Sequence, residues 1–293
     1  MATKGSRIDR SAKWVLAAPL IAFTALFVVW PVAQGVQTGL YYFTLQNPEI
    51  TFNGLENFRK VFSLPGFWDA VRFTALFAVV VTAVEAVLGF GLALLMNRTF
   101  PGKKLFFTAL LLPIMIAPSL LGIMFRLLLN GDIGLAPAVL SGFGLDISLF
   151  APGTVVPLLI VLDVLQWTPF IFLIVYSGLQ SFPTDVLEAA QVDGAGKLRT
   201  LKSLVIPMMK PVIAAAVFLR MIDAIRTFDV IYVLTAGGPG RMTTTISIYI
   251  YKTAFESGDF GLAAAISTVV LLALLPLVPL VVKHIAQPEG SRS

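Results

Sequence analysis

Four ionisable side chains stand at three-residue steps inside one long apolar stretch: Arg220, Asp223, Arg226 and Asp229. On a helix, neighbours at that spacing lie one above another and can pair by opposite charge. In hydrocarbon each such group costs at least about 2.5–3.5 kcal/mol at a helix centre, so these groups turn toward a bundle interior or a polar path. The ladder has two readings: a self-neutralising row that stabilises packing, or the wall of a substrate path. An upstream stretch carries Asp163, Trp167 and Phe170. At 100° per residue these fall within roughly 60° of arc. A carboxylate that accepts hydroxyl hydrogen bonds, set beside rings that pack on C–H faces, suits a sugar. Glu85 lies mid-stretch and needs a partner that the sequence does not name, and Arg126 stands near a stretch end, from which it can snorkel.

Covalent chemistry has no support. The chain contains no cysteine, and its single histidine, His284, has no cluster around it, so neither a catalytic centre nor a metal site is expected. No G-x-x-x-x-G-K-[ST] run occurs, which removes a nucleotide-binding P-loop.

The elements that must position these residues are membrane spans. Of the 293 residues 57% are hydrophobic and only 13% charged, with a mean hydropathy of +0.89. Soluble domains carry about 25% charged residues, so much of this exterior must face lipid. A spanning helix needs about 20 mostly apolar residues. Six stretches qualify: residues 14–36, 70–97, 105–129, 155–180, 208–235 and 261–283. Turn chemistry separates them at Asn47-Pro48, Asn53-Gly54, Pro101-Gly102, Asn130-Gly131 and Gly237-Gly238-Pro239-Gly240. The fold expected is an all-α integral membrane bundle of six helices over residues 14–285. Residues 1–13 form an N-terminal arm and 286–293 a tail, and the first segment is a retained anchor rather than a cleaved signal.

Basic residues set the orientation. They gather in the arm (Lys4, Arg7, Arg10, Lys13), at Arg98, Lys103 and Lys104, at Lys197, Arg199, Lys202 and Lys210, and in the tail at Lys283 and Arg292. The opposite side receives Arg59, Lys60, Arg72, Arg241 and Lys252. Both termini are therefore expected in the cytoplasm. The formal charge of +5 is a topology signal and not a nucleic-acid patch.

The loop 181–207 reads SFPTDVLEAAQVDGAGKLRTLKSLVIP. Pro183, Asp185 and Glu188 suit a helix start, Gly194 allows a sharp reversal, and Leu198, Leu201 and Val205 make an apolar stripe on a second short helix. Pro207 marks re-entry into the membrane. The expected object is a cytoplasmic helix–turn–helix that contacts either another protein or lipid headgroups.

Glu188-Ala189-Ala190, Asp193-Gly194 and Leu204-x-Ile206-Pro207 resemble the EAA loop of ABC importer permeases, with Leu204 and Ile206 exchanging that pattern's Ile and Leu. Phe228-Asp229-Val230-Ile231-Tyr232 running into Gly237-Gly238-Pro239-Gly240 is similar to the carbohydrate-uptake branch, of the larger maltose permease and glycerol-3-phosphate permease type. The resemblance implies a coupling loop at Glu188, Ala189, Ala190, Asp193, Gly194 and Pro207. It also implies a substrate path at Asp163, Trp167, Phe170, Asp223, Ala224 and Thr227. The implied partners are a second permease subunit, two ATPase subunits and an extracytoplasmic substrate-binding protein in a bacterial inner membrane. ATP and Mg²⁺ would sit on the ATPases and no cofactor on this chain. The alternatives are a permease for an anion such as glycerol 3-phosphate and, more remotely, an ion-coupled secondary carrier.

Overall fold

The computed structural model describes residues 5–145, 148–276 and 279. The tail 286–293, His284 and the end of the sixth expected segment lie outside the described residues. The chain divides into two compact units, residues 5–64 with 250–276, and residues 65–249.

In the first unit, helix α1 runs from Gly5–Thr24 through a π-turn at Ala25–Val29 into Trp30–Gly39. The turn ends two residues before Pro31. Proline lacks an N–H and its ring clashes with the carbonyl four residues back. Widening the preceding turn relieves that clash without ending the helix. A hairpin follows, β1 Tyr41–Thr44 and β2 Asn47–Phe52, then helix α2 Glu56–Ser63. At the far end of the unit lie α11 Ile246–Tyr251, which crosses the unit boundary, its π-turn Lys252–Glu256, and α12 Phe260–Leu274. Gly39 allows a close approach: a Cβ there would lie 3.2 Å from the backbone of Ala265. The Asn57 amide donates to the carbonyls of Gly39 (3.0 Å) and Tyr41 (2.9 Å), which fixes the turn from α1 into the hairpin.

The second unit holds α3 Pro65–Met96, α4 Lys103–Met115, α5 Pro118–Leu128, α6 Leu135–Gly142, α7 Val155–Gln180 and α8 Thr184–Val192. Helix α9 then runs through Lys197–Ile225, and α10 spans Asp229–Thr235. The most extensive packing is α3 on α7, with α9 against both. Buried positions on α3 recur at helical spacing: Thr74, Ala78, Val81, Glu85, Gly89, Ala93 and Met96. Gly89 sets the closest approach, since a Cβ there would lie 3.0 Å from the Phe172 backbone nitrogen.

Two expectations need correction. The stretch 105–129 is not one straight helix: α4 and α5 meet at a bend of 97°. Ala117 precedes Pro118 and is driven out of the α region (ψ 135°), as residues before proline are. The stretch 208–235 is also broken, between Ile225 and Asp229. Neither glycine nor proline lies there. Instead the Ser247 and Thr245 hydroxyls donate to the carbonyls of Arg226 (3.3 Å) and Thr227 (3.0 Å), so tertiary bonds replace helical ones. The helix is continuous through Pro207. The second loop helix passes through a π-turn at Leu201–Val205 into α9 as one helix, the same accommodation of proline seen before Pro31. A described set of four long apolar helices, or five counting the bent pair, is long enough to span a membrane.

Candidate functional site

Glu85, Asp163 and Arg220 meet where α3, α7 and α9 pack. They lie between two apolar clusters, one containing Val81, Leu162 and Ala224, the other Ala93, Phe172 and Ala216. The Arg220 side chain is 0% exposed. Its Nε donates to Glu85 Oε2 at 2.7 Å and its Nη2 to Glu85 Oε1 at 3.1 Å, a two-pronged pairing. Nη2 also donates to Asp163 Oδ2, and Nη1 to Asp223 Oδ2 at 3.2 Å. The guanidinium carbon stands 5.1 Å from the centre of the Trp167 ring, within cation–π range. Removing a guanidinium from water is tolerable only where its donors are paired this fully. Glu85, left without a named partner by the sequence, is thus Arg220's main counter-ion. No signal short of the three-dimensional contact could have linked positions so far apart in sequence.

The other expected site residues divide around this cluster. Asp163 and Ala224 are buried, while Trp167, Phe170 and Thr227 are half-buried. Trp167 and Phe170 contact edge-on at 6.3 Å. Asp223, 44% exposed, is the one carboxylate of the cluster that reaches open space. The charge ladder is realised only at its first rung, Arg220–Asp223. Arg226 and Asp229 lie beyond the end of α9, both exposed, and among the described residues neither forms an ion pair. Asp229 instead occupies the first turn of α10, where a helix N-terminus favours negative charge. Arg126 donates to the Val233 carbonyl at 3.2 Å, tying α5 to α10.

Residues not singled out from the sequence complete the surroundings. Gln166, one turn beyond Asp163, donates to the Ile116 carbonyl at 3.2 Å, capping the break between α4 and α5. Threonines hold the loop after α10, which turns through left-handed Ala236 and Gly237. Thr243 donates to the Gly238 carbonyl (2.7 Å), Thr244 to that of Gly237 (3.0 Å), and Thr74 on α3 accepts from the Ile246 amide (2.8 Å). The run Thr243-Thr244-Thr245 was visible as a cluster of small hydroxyls beside a glycine-rich turn, which is the signal that could have found it.

The loop 181–207 forms α8, a reversal and the start of α9. Gly194 has φ +73° and the Ala195 amide reaches back to the Ala190 carbonyl at 2.9 Å, a glycine-closed helix end. Glu188, Ala189, Asp193, Gly194 and Pro207 are exposed, whereas Ala190 is buried. Two apolar side chains project from the loop: Val192, 88% exposed, and Leu198.

Comparison with known proteins bears on both regions. The sequence pattern described as "Binding-protein-dependent transport system inner membrane component" matches residues 85–287. The chain is 34% identical over 270 residues to the trehalose/maltose transport system permease protein MalF of Thermococcus litoralis, covering 91% of each chain. It is 32% identical over 293 residues to the trehalose transport system permease protein SugA of Mycobacterium tuberculosis, covering 99% of this chain and 94% of that one. Its fold matches a chain of a bacterial ABC transporter that imports the acidic polysaccharide alginate. That match has a TM-score of 0.79 at 23% identity and covers 95% of this chain and 98% of the other.

Proposed function

The chain belongs to the family of binding-protein-dependent transport system inner membrane components, and on that premise we propose that it is the permease subunit of an ABC importer for a sugar or sugar derivative. The observation that supports this best is the helix–turn–helix of α8 and the first turns of α9. The Glu188-Ala189-Ala190 helix, left-handed Gly194 and projecting Val192 and Leu198 make an apolar-tipped element suited to a cleft in another protein. In this reading six crossings place that loop and both termini in the cytoplasm. A second permease completes the path, two ATPase subunits supply the ATP and Mg²⁺ chemistry, and an extracytoplasmic protein delivers substrate. The sugar assignment is supported by relatives named for trehalose and maltose and by the half-buried Trp167–Phe170 rings, Trp167 lying against the Arg220 guanidinium that also bonds Asp223.

Coupling follows from the continuity of α9. Lys197 in the loop and Arg220 in the charge cluster stand on one helix, about 35 Å apart at 1.5 Å per residue. A displacement of the loop by an ATPase moves Arg220, and through Glu85 and Asp163 it moves α3 and α7. Asp223 and Trp167 travel with them, which changes the access of the polar face. An anionic substrate is disfavoured at the cluster, because Arg220 is spent on three carboxylates, Glu85, Asp163 and Asp223.

Gly194→Val tests the reading. No atom lies within 4 Å of a Cβ there, so the substitution acts through the backbone alone, at about 1–2 kcal/mol for a left-handed residue. Substrate-stimulated ATPase activity of the purified complex should fall while the chain still inserts, and Gly194→Asn, which tolerates that conformation, should retain more of it. Full stimulation in the valine variant would show that the loop does not couple.

A further inference from the structure

We propose that the hairpin Tyr41–Phe52 is an interfacial anchor, its apolar face lying on the headgroup–acyl boundary of the lipid bilayer where the first span ends. The starting observation is its two-faced alternation. Tyr41 pairs with Phe52 and Tyr42 with Thr51 across the strands. Tyr41, Ile50 and Phe52 therefore share one face, with the Tyr41 and Phe52 rings edge-on at 5.5 Å, while Tyr42, Glu49 and Thr51 share the other. A two-stranded hairpin is marginal in water on its own, and this one covers only part of its apolar face: Ile50 stays 57% and Phe52 68% exposed.

Its place in the unit says what covers the remainder. Tyr41 follows two residues after Gly39, the last residue of the α1 span. The Leu45 amide donates to the Gly258 carbonyl at 2.8 Å and Thr44 bridges to Asp259, the N-cap of the apolar helix α12. The hairpin is thus pinned at the level where the exposed α1 ends and α12 begins. At that level the unit carries a run of aromatic rings. Tyr251 meets Phe255 at 5.1 Å, Phe255 meets Phe260 at 6.0 Å, and Phe260 meets Phe43 at 5.2 Å. Tyrosines such as Tyr41 and Tyr251 gather at membrane–water boundaries because their rings are apolar and their hydroxyls stay wet, and the phenylalanines beside them add apolar area. Exposed Arg59 on α2, the helix that follows, adds a basic group of the kind that anionic headgroups attract. An apolar sheet face continuous with the exposed end of α1, backed by a polar face with Glu49 and Thr51, has the geometry of an element lying in the interface plane.

The absence of cysteine makes the test direct. Phe52→Cys and Thr51→Cys, adjacent in sequence but on opposite faces, are nitroxide-labelled in the full complex in phosphatidylcholine/phosphatidylglycerol vesicles. Collision rates with oxygen, which concentrates in lipid, and with a water-soluble nickel chelate are then measured. The ratio of oxygen to nickel collisions should be several-fold higher for the label at position 52 than for that at 51. Equal access of nickel to both labels overturns the proposal. A position-52 label shielded from both reagents overturns it as well, by showing that a protein covers the face. Should Phe52→Cys fail to assemble, Ile50→Cys reports on the same face with the same outcomes.

Discussion

If Arg220 holds α3, α7 and α9 together, its partners should differ sharply in worth. Glu85→Gln keeps the shape of the side chain but turns an amide N–H₂ toward a guanidinium donor. One of two charge-assisted bonds, at 2.7 and 3.1 Å, is lost. Such bonds contribute about 1.5–3 kcal/mol each. Arg220 keeps Asp163 and Asp223 and is not stranded, so we expect a loss of about 1.5–3 kcal/mol. Asp223→Asn removes a partner at 3.2 Å whose side chain is almost half open to solvent, so screening reduces its worth to about 0–1 kcal/mol. Arg220→Met leaves Glu85 and Asp163 facing one another with no cation and should match or exceed Glu85→Gln. Arg220→Met alone leaves Glu85 and Asp163 both without a cation, whereas the double variant leaves only Asp163 so, and it should therefore recover about 2–3 kcal/mol relative to the sum. The readout is the folded fraction of the purified complex across a series of SDS concentrations in mixed micelles, with complex yield alongside. Simple addition of the two effects, or an Asp223→Asn shift as large as that of Glu85→Gln, would refute the idea that this cluster binds the helices.

Two further outcomes follow from the packing and the loop. Gly89→Ala should destabilise by about 1–3 kcal/mol, because its Cβ meets the fixed Phe172 backbone. Gly178→Ala should cost less, since its nearest neighbour is the mobile end of Met209 at 2.7 Å; folded-state titrations of the two complexes give the order, and the reverse order contradicts the α3–α7 approach described above. Ala195→Cys, in the cysteine-free chain, should react with an impermeant thiol reagent only from the cytoplasmic side of oriented vesicles, and labelling of intact cells from outside would invert the proposed topology.

Much of the scaffold was legible because bilayer thickness demands long apolar runs: α1, α3, α7 and α9 all lie where the sequence places a span. Gly194 was equally readable, since a reversal between two helix patterns needs a left-handed residue and glycine supplies it most cheaply. The bend between α4 and α5 was written in Ala117-Pro118 but masked by unbroken hydropathy. The break before Asp229 carried no local signal at all, because its cause is Thr245 and Ser247 some twenty residues on. The hairpin fell inside a stretch read only for its turn at Asn47-Pro48, although Asn47 to Phe52 alternates in character. Glu85, Asp163 and Arg220 were each recognisable as costly in a membrane. Their convergence was not, because pairing across three helices depends on rotation and register, which periodicity leaves free.

The break at Arg226–Phe228 also decides how far motion in α9 can spread within the second unit. Had residues 208–235 formed one helix, a shift of the loop would have carried Asp229 and the Gly237–Gly240 turn with it. As built, α9 ends at Ile225, and the cluster at Arg220 passes force sideways into α3 and α7. Helix α10 belongs instead with α5: Gly122 admits Val233 so closely that a Cβ would lie 3.1 Å from it, and Arg126 grips the Val233 carbonyl. The carbonyls freed at the break are held by Thr245 and Ser247, so the joint bends without exposing unpaired backbone, a requirement for any irregular segment at membrane depth. Half of the expected charge ladder is therefore built into α9 and half lies past its end. That division separates Asp223, bonded to Arg220, from Arg226 and Asp229 on the far side of the joint.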